Sequence, residues 1–238
     1  MSLVIASLIL PSGVSALDRI LNGGLHTGLF IHVYGEAAAG KTTLALQFIR
    51  AACRLNVNTI YVNSEASSPV ERLEQIMGRD YEAIEEMVRI LAPKDFGEQG
   101  ALLDDLELYT RNETKLVVVD TLTRLYRSVL DDRKTNYANH RELNRQAGML
   151  KGLAKQNDLA VLVLNQVRAS MGRVDGFEPV AKDILDYWAN YVIKMSLGRT
   201  SGERRLERTR PEGEQDKCTL YLTGAGLALE PDAKETVK

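Results

Sequence analysis

Residues 29–43 read Leu-Phe-Ile-His-Val-Tyr-Gly-Glu-Ala-Ala-Ala-Gly-Lys-Thr-Thr, and this stretch decides the fold. It begins as a mostly apolar run that is typical of a buried strand, and an apolar helical pattern follows from Leu44 to Ala52. Between the two lies G-x-x-x-x-G-K-T, the spacing of a phosphate-binding loop. The motif requires a strand before it and a helix after it, and both are predicted here. The sequence therefore predicts a nucleoside triphosphate site.

Each residue type in this motif has a physical role in binding phosphate. Gly35 and Gly40 allow the backbone to fold back, so that successive N–H groups point into one concavity. The N-terminus of the following helix adds its positive end. Lys41 is predicted to reach the β- and γ-phosphates, and the Thr42 hydroxyl is predicted to bind Mg²⁺. The whole predicted phosphate loop comprises Gly35, Glu36, Ala37, Ala38, Ala39, Gly40, Lys41, Thr42 and Thr43.

Length and composition indicate one globular domain with no membrane segment. The 238 residues can bury a sizeable core, and a net charge of −2 excludes neither nucleic-acid nor protein partners. Residues 3–10 resemble the apolar part of a signal peptide, but no basic residue precedes them and they are too short to cross a bilayer. Cys53 and Cys218 lack metal-ligand spacing, which indicates free buried thiols in a reducing compartment. We therefore expect a cytoplasmic protein.

Three further apolar runs end in polar residues that complete the predicted site. The runs at 59–63, 115–119 and 159–164 lead to Glu65, Asp120 and Gln166 respectively. Because the carboxyl ends of parallel strands share one sheet edge, we expect these side chains near the bound phosphates. Glu65 could orient or deprotonate the attacking water, and Gln166 could sense the γ-phosphate. Asp120 fits a Walker B strand, whose carboxylate holds Mg²⁺ through water. The alternative for Glu65 is a helix-capping or solvated glutamate, and the alternative for Gln166 is a capping amide.

Two segments with basic side chains follow the strands that end at Asp120 and Gln166. The first basic segment, residues 131–141, is polar without periodicity and predicts an exposed loop before a helix from about Glu142 to Gln156. The second basic segment, residues 168–182, contains two glycines and a proline and predicts a flexible loop.

Weaker patterns predict the other elements. A short helix within residues 11–28 would be capped by Ser12 or Ser15 and ended by Gly23-Gly24. Helices are predicted over 69–78, 80–87 and 96–112, with a strand over 88–92. Strands over 190–197, 203–209, 217–222 and 227–229 predict antiparallel additions to the sheet. The predicted fold class is thus α/β, a mainly parallel twisted sheet flanked by helices with antiparallel C-terminal strands.

Two sets of polar residues have competing interpretations. The stretch from Arg199 to Arg210 carries five arginines, so it is either a solvated charged hairpin or a phosphate-binding edge. The histidines His26, His32 and His140 are too scattered to suggest a triad or a metal site, and each is expected to be a surface or packing residue.

The order of these motifs resembles the core of RecA/RadA-type recombinases over about residues 11–230, and within that family the short archaeal paralogues of RadA. By this resemblance the fold is a RecA-like P-loop NTPase core, Glu65 is the catalytic base, and Arg72 stacks on adenine. Asn165-Gln166-Val167 corresponds to the sensor that couples nucleotide state to DNA binding. The other matching residues are Ser12-Gly13, Leu17-Asp18, Gly23-Gly24, Thr27-Gly28, Tyr61–Glu65, Pro69, Glu71, Leu73, Asp120 and Leu125-Tyr126-Arg127.

The same resemblance implies the ligands and partners. ATP with Mg²⁺ is the implied cofactor, and the two basic segments correspond to the DNA-binding loops of the family. The candidate contacts to single-stranded DNA, with double-stranded DNA as a second form, are Arg133, Lys134, Arg141, Arg168, Arg173 and Lys182. The main recombinase RadA or another recombination protein is the expected protein partner, and a homo-oligomer is left open.

Departures from the family pattern leave three functions in competition. The chain starts at the core, without the N-terminal helical DNA-binding domain or the Phe-x-x-Ala polymerisation motif of RadA, which puts long filaments in doubt. The first hypothesis is a DNA-binding accessory protein of recombination and repair with weak Mg²⁺-dependent ATP hydrolysis. The second is a mediator or scaffold that uses ATP only as a conformational ligand. The third is a KaiC-like regulatory ATPase, which shares the glycine-rich opening segment and the phosphate loop.

Overall fold

A ten-stranded sheet is the frame of the molecule, and the computed structural model describes residues 7–78, 85–169, 177–212 and 216–232. The strands are β1 (Ile9–Leu10), β2 (Leu25–His26), β3 (Phe30–Gly35), β4 (Asn58–Asn63), β5 (Val88–Leu91), β6 (Thr114–Asp120), β7 (Ala160–Ala169), β8 (Phe177–Pro179), β9 (Tyr191–Leu197), β10 (Glu203–Arg210), β11 (Lys217–Thr223) and β12 (Gly226–Ala228). The helices are α1 (Ser15–Ile20), α2 (Lys41–Arg54), α3 (Val70–Met77), α4 (Phe96–Asp104), α5 (Leu106–Tyr109), α6 (Leu122–Ser128), α7 (Arg133–Gln156) and α8 (Lys182–Trp188).

The sheet has a parallel part and an antiparallel extension. Its order is β12-β11-β10-β9-β3-β7-β6-β4-β5, with β8 paired to β7, while β1 and β2 form a separate pair. Strands β5, β4, β6, β7, β3 and β9 are parallel, and β10, β11 and β12 continue antiparallel. The predicted fold class is confirmed. One strand differs from its prediction, because β9 is parallel to β3: the chain reaches it through α8, and such a crossover permits parallel pairing.

Alternating side chains of the parallel strands supply two cores, one on each face of the sheet. In β6, Leu116 and Val118 join the core formed with α1, α2 and α3. Val117 and Val119 join the core formed with α4, α6, α7 and α8. This two-residue period follows from the pleat, and both faces are apolar because helices cover both. The carboxyl ends of the parallel strands remain for polar chemistry.

The first basic segment is helical, so the prediction of a loop over 131–141 was wrong. Helix α7 begins at Arg133, and the Asp132 carboxylate caps it by accepting the backbone N–H groups of Lys134 and Thr135 at 2.7 and 3.1 Å. A capping aspartate satisfies N–H groups that have no partner within the helix. Most side chains of the first turns are exposed, which explains the absence of an apolar period.

Other boundaries also differ from prediction. Val14, not a serine, precedes α1, because the Ser12 hydroxyl accepts the N–H of Val14 instead of capping the helix. The helix predicted over 96–112 is divided into α4 and α5 and ends at Tyr109. Most of the helix predicted over 80–87 lies outside the described residues, and only a 3-10 turn at Glu85–Met87 is seen.

The second basic segment is described only at its two ends. Strand β7 extends to Ala169, β8 begins at Phe177, and α8 begins at Lys182, so neither end is the flexible loop that the sequence predicts. Residues 170–176, among them Arg173, lie outside the described part of the chain.

Candidate nucleotide-binding site

The strand ends that carry the predicted site residues are aligned in register. Gly35 of β3 is opposite Gln166 of β7, and Asn63 of β4 is opposite Asp120 of β6. Polar groups from four strands therefore converge at one edge of the sheet. In open parallel sheets, this edge is where ligands bind.

The two glycines of the phosphate loop are required for different reasons. A Cβ atom on Gly35 would lie 2.1 Å from the carbonyl oxygen of Met195, so β3 and β9 could not approach as they do. Gly40 precedes α2 with a φ of 93°, a left-handed conformation that costs other residues free energy. The two glycines thus allow the tight turn that a phosphate-binding loop requires.

Lys41 folds back over this loop. Its ammonium group donates to the carbonyl oxygens of Gly35 at 2.8 Å and Glu36 at 2.7 Å. Burial lowers the pKa of Lys41, while the charges of Asp120, Glu65 and Glu36 oppose that shift. The Lys41 ammonium is held by neutral carbonyl oxygens in a half-buried loop. It can exchange these oxygens for phosphate oxygens without becoming more deeply buried. The loop therefore fits a triphosphate.

Asp120 is buried and hydrogen-bonded on one oxygen. Its Oδ2 accepts the Thr42 hydroxyl at 2.7 Å and the Tyr61 phenol at 2.6 Å. Burial raises the pKa of Asp120, and these two hydrogen bonds lower it in part. Within the described residues, no group of three His, Cys, Asp or Glu side chains could hold a metal without other ligands. Thr42 and Asp120 nevertheless fit Mg²⁺, which prefers hard oxygen ligands and takes the rest from phosphate and water.

Glu65 and Gln166 are in direct contact, although they come from different strands. The Gln166 amide donates to Glu65 Oε1 at 3.0 Å, and the Thr121 hydroxyl donates to the same oxygen at 3.0 Å. Arg124 lies 3.5 Å from the other carboxylate oxygen, and Arg127 donates to the side-chain oxygen Oε1 of Gln166 at 2.9 Å. Neither side chain caps a helix in this arrangement. The predicted base and the predicted sensor form one network at the sheet edge.

Four members of this network received no site role from the sequence: Tyr61 and Arg127, which were noted only as family matches, and Thr121 and Arg124. The two arginines lie on α6 directly after the Walker B strand, at a spacing that places both on one helix face. That spacing was a usable signal. The contact of Tyr61 with Asp120 depends on how β4 and β6 pair, and the local sequence carries no sign of it.

Arg72 lies beside the turn between β11 and β12. Its guanidinium donates to the carbonyl of Thr223 at 2.7 Å and of Gly224 at 3.1 Å. These bonds use the edge of the guanidinium and hold its plane in one orientation, a state in which a flat cation can stack on an aromatic ring.

The predicted DNA contacts fall into two groups. Lys134 and Arg141 are exposed along α7, and Arg133 is its first residue. Arg168 pairs with Glu178 at 2.7 Å, and Lys182 pairs with Asp186 at 2.6 Å. Carboxylates therefore partly neutralise Arg168 and Lys182 in the second group.

Two further predictions concern the cysteines and a membrane-spanning helix. Cys53 and Cys218 are free, as predicted, and burial raises the pKa of both thiols to about 11. Among the described residues, no helix is both long and apolar enough to cross a bilayer.

The fold and the site together define a P-loop protein of the RecA-like class, and comparison with known proteins narrows this class. The profile of the Rad51 family matches residues 5–227. The DNA repair and recombination protein RadB of Methanococcoides burtonii is 30% identical over 92% of this chain and 96% of its own length. RadB of Archaeoglobus fulgidus is 31% identical over 92% and 98%. A crystal structure of the RadB recombinase is similar with a TM-score of 0.76 and 31% identity, over 92% of this chain and 99% of that one.

This chain belongs to the Rad51 family. The resemblance to RecA/RadA-type recombinases and to their short archaeal paralogues is thereby confirmed.

Proposed function

We propose that this protein is an ATP-binding and DNA-binding accessory protein of homologous recombination and DNA repair, acting in the cytoplasm as a single RecA-like domain. Its similarity to proteins named RadB supports the biological role. One observation carries the biochemical part: the contact between Glu65 and Gln166 at the edge that also holds Lys41 and Asp120. A base and a sensor joined beside a phosphate loop suit a nucleotide-dependent switch.

The chain would bind ATP and its Mg²⁺ through its own backbone and four side chains. The backbone N–H groups of residues 35–43 and the Lys41 ammonium would hold the phosphates, while the Arg72 plane would stack on the adenine. Thr42 and Asp120 would hold Mg²⁺. When bound, this ion neutralises charge on the phosphate oxygens.

Glu65 would support slow hydrolysis by orienting a water and accepting its proton. One oxygen of its carboxylate already accepts two hydrogen bonds, so a donor must be released before that oxygen can bind water. Gln166 is one of these donors. Release of Gln166 would open this oxygen to water, so hydrolysis and the position of the sensor would be linked.

DNA would bind through phosphate contacts without sequence preference. Lys134 and Arg141 are exposed, and Arg168 and Lys182 would add charge once DNA competes with Glu178 and Asp186, their present partners. Arg133 and Arg173 are further candidate contacts. Single-stranded DNA is the expected ligand and double-stranded DNA a second one. The main recombinase RadA is the proposed protein partner, and self-association would form a homo-oligomer.

The test is ATP hydrolysis by the wild-type protein with and without single-stranded DNA, against Lys41→Ala as background. We expect slow turnover that DNA stimulates and that the variant lacks. Lys115→Ala is the matched control, because Lys115 pairs with Asp158 near the opposite end of β6. Absence of DNA binding at several salt concentrations would exclude the recombination role.

The contact between Glu65 and Gln166 also favours a second function, in which ATP is a conformational ligand of a mediator. Glu65→Gln distinguishes the two, since an amide keeps hydrogen bonding but cannot take a proton. If DNA affinity still responds to ATP in this variant and recombination assays are unchanged, hydrolysis is dispensable and the mediator is the correct function.

A further inference from the structure

His32 is a buried polar residue that the nucleotide chemistry does not use. It lies in the central strand β3, upstream of Gly35, and is 0% exposed. Its Nδ1 is 2.9 Å from Asp186 Oδ1 on α8, and its Nε2 is 3.2 Å from the side-chain nitrogen of Asn165 on β7. One imidazole therefore joins the strand of the phosphate loop to the sensor strand and to α8.

The partners determine where the proton of this imidazole lies. The Asp186 carboxylate only accepts, so Nδ1 must carry the hydrogen, and Nε2 is then the acceptor for the Asn165 amide. Burial lowers the pKa of His32, against the hydrogen bond and charge of Asp186, which raise it. A neutral ring with one donor and one acceptor satisfies both neighbours. His32 is thus oriented on both sides, unlike a packing residue that only fills space.

Asn165 extends the connection to the residue that follows β8. Its amide also donates to the Val180 carbonyl at 2.8 Å, and its oxygen accepts the Thr123 hydroxyl. The Val180 N–H donates to the Gln166 carbonyl at 3.0 Å. Both backbone groups of Val180 are therefore bonded to consecutive residues of the sensor. A shift of the sensor must move Val180 or break these bonds.

Helix α8 is bonded to His32 through Asp186, which lies near the centre of the helix. Asp186 receives His32 on one oxygen and Lys182 on the other, at 2.9 and 2.6 Å. Leu185 is buried in the core beneath the helix. The return segment, residues 177–188, is thus attached at Val180 to the sensor and at Asp186 to β3.

We propose that His32 is a positioning residue that couples the nucleotide site to the return segment, which contains the C-terminal part of the second basic segment. Movement of Gln166 or of β3 at the sheet edge would pass through Asn165 and the imidazole to Asp186, and so change how Lys182 and its neighbours meet DNA. This inference rests on the proposed function, since it needs both ATP and DNA to bind.

The experiment measures the affinity for single-stranded DNA with and without a non-hydrolysable ATP analogue, in the wild type and in His32→Phe. Phenylalanine keeps a ring but neither hydrogen bond. We expect the analogue to change wild-type DNA affinity by roughly 5-fold or more, the usual range of coupling between sites. The coupling ratio, which is the DNA affinity with the analogue divided by the DNA affinity without it, should fall close to one in the variant. Analogue affinity in the absence of DNA should stay unchanged within about twofold.

Trp188 provides an independent readout. It is the only tryptophan, it ends α8, and its indole N–H donates to Asn144 at 3.0 Å. We expect the analogue to change Trp188 emission in the wild type and not in His32→Phe. The matched control is His26→Phe, because His26 is half-buried and bonds only the Asn22 carbonyl among the described hydrogen bonds. This control should keep the wild-type response.

Two conservative variants keep the proposal testable if His32→Phe does not fold. An asparagine amide can replace the Nδ1 donor to Asp186, whereas a glutamine carbonyl can replace the Nε2 acceptor for Asn165. Because each variant keeps one of the two bonds and loses the other, His32→Asn and His32→Gln should each lower the coupling ratio. If the role of His32 is merely structural, these substitutions should lower thermal stability and leave the coupling ratio unchanged.

The outcomes separate this inference from the proposed function. If the wild type shows coupling and every folded His32 variant keeps both the ratio and the Trp188 response, the inference is wrong and the proposed function stands. If the wild type binds DNA equally with and without the analogue, the switch itself is wrong and the inference fails with it.

Discussion

The parallel part of the sheet and its antiparallel extension use charged residues differently. At the parallel edge, Lys41 donates hydrogen bonds to backbone carbonyls, and Glu65 meets groups from β7 and from the start of α6. In the extension, charges pair with near neighbours in the sequence. The pairs are Arg208 with Asp216 at 2.5 Å, Lys217 with Glu207 at 2.9 Å and Arg205 with Glu203 at 3.4 Å.

Strand direction explains this difference. Parallel strands all end at one edge, so polar residues that are distant in the sequence meet there. Antiparallel strands joined by short turns place residues of one hairpin opposite each other, and their charges compensate locally. Of the five arginines from Arg199 to Arg210, Arg205 and Arg208 form such ion pairs within the described residues, which favours the charged hairpin over a phosphate-binding edge. We expect substitutions at the parallel edge to change ligand binding and substitutions in the extension to change stability alone.

The largest effect is expected for Gly35→Ala. The added methyl would overlap the Met195 carbonyl and separate β3 from β9, at a cost of about 3 kcal/mol in unfolding free energy together with lost nucleotide binding. Gly152→Ala is the control: a Cβ there meets nothing within 4 Å, and α7 should gain about 0.5–1 kcal/mol. Urea unfolding and nucleotide titration test both. If Gly35→Ala binds nucleotide with normal affinity, the sheet edge tolerates the separation of β3 from β9.

Arg208→Ala should destabilise the extension without affecting the nucleotide site. Arg208 and Asp216 are 9% and 12% exposed, so removal of the cation breaks an ion pair that is largely shielded from solvent. We expect a loss of about 2 kcal/mol, below the ~3–5 kcal/mol of fully buried pairs. Denaturant unfolding would measure it. If Arg208→Ala binds nucleotide more weakly under conditions where it is fully folded, the extension also affects ligand binding and the two regions do not differ in this way.

Stability of the parallel part should depend on pH through His32. Its pKa is lowered in the folded protein, so below pH ~6.5 the unfolded chain binds a proton that the folded chain excludes. Unfolding free energy should therefore fall as the pH drops below this value, by at most ~1.4 kcal/mol per pH unit for one group. His32→Phe should lack this component, measured as the difference between wild-type and variant curves from pH 7.5 to 5.5. Parallel curves would contradict a neutral buried imidazole.

The smallest effect is expected for Lys217→Ala, also in the extension. The pair of Lys217 with Glu207 is 73% and 39% exposed, and such pairs contribute below about 0.5 kcal/mol. Together with Arg208→Ala, this variant tests whether burial, rather than the number of ion pairs, determines the stability of the hairpin. A loss comparable with that of Arg208→Ala would exclude burial as the cause.

Local patterns allowed correct predictions wherever neighbouring residues decide the structure. The phosphate loop, the strands before Glu65, Asp120 and Gln166, and the α/β class all followed from runs and turns of a few residues. The errors concern boundaries and partners. Helix α7 starts at a capped polar turn that shows no apolar period, and β9 is parallel because of where the chain crosses, which no pattern within β9 records.

The sequence by itself determined that a phosphate loop joins a buried strand to a helix, because glycine conformations and apolar runs act over short distances. Only the tertiary structure decided which side chains meet across the sheet. Glu65 and Gln166 are 101 positions apart, and His32 and Asp186 are 154 apart. Their contacts exist because strand order and helix packing bring them within hydrogen-bonding distance, and hydrogen bonds form only at short range. The network that would connect ATP to DNA is therefore a property of the fold.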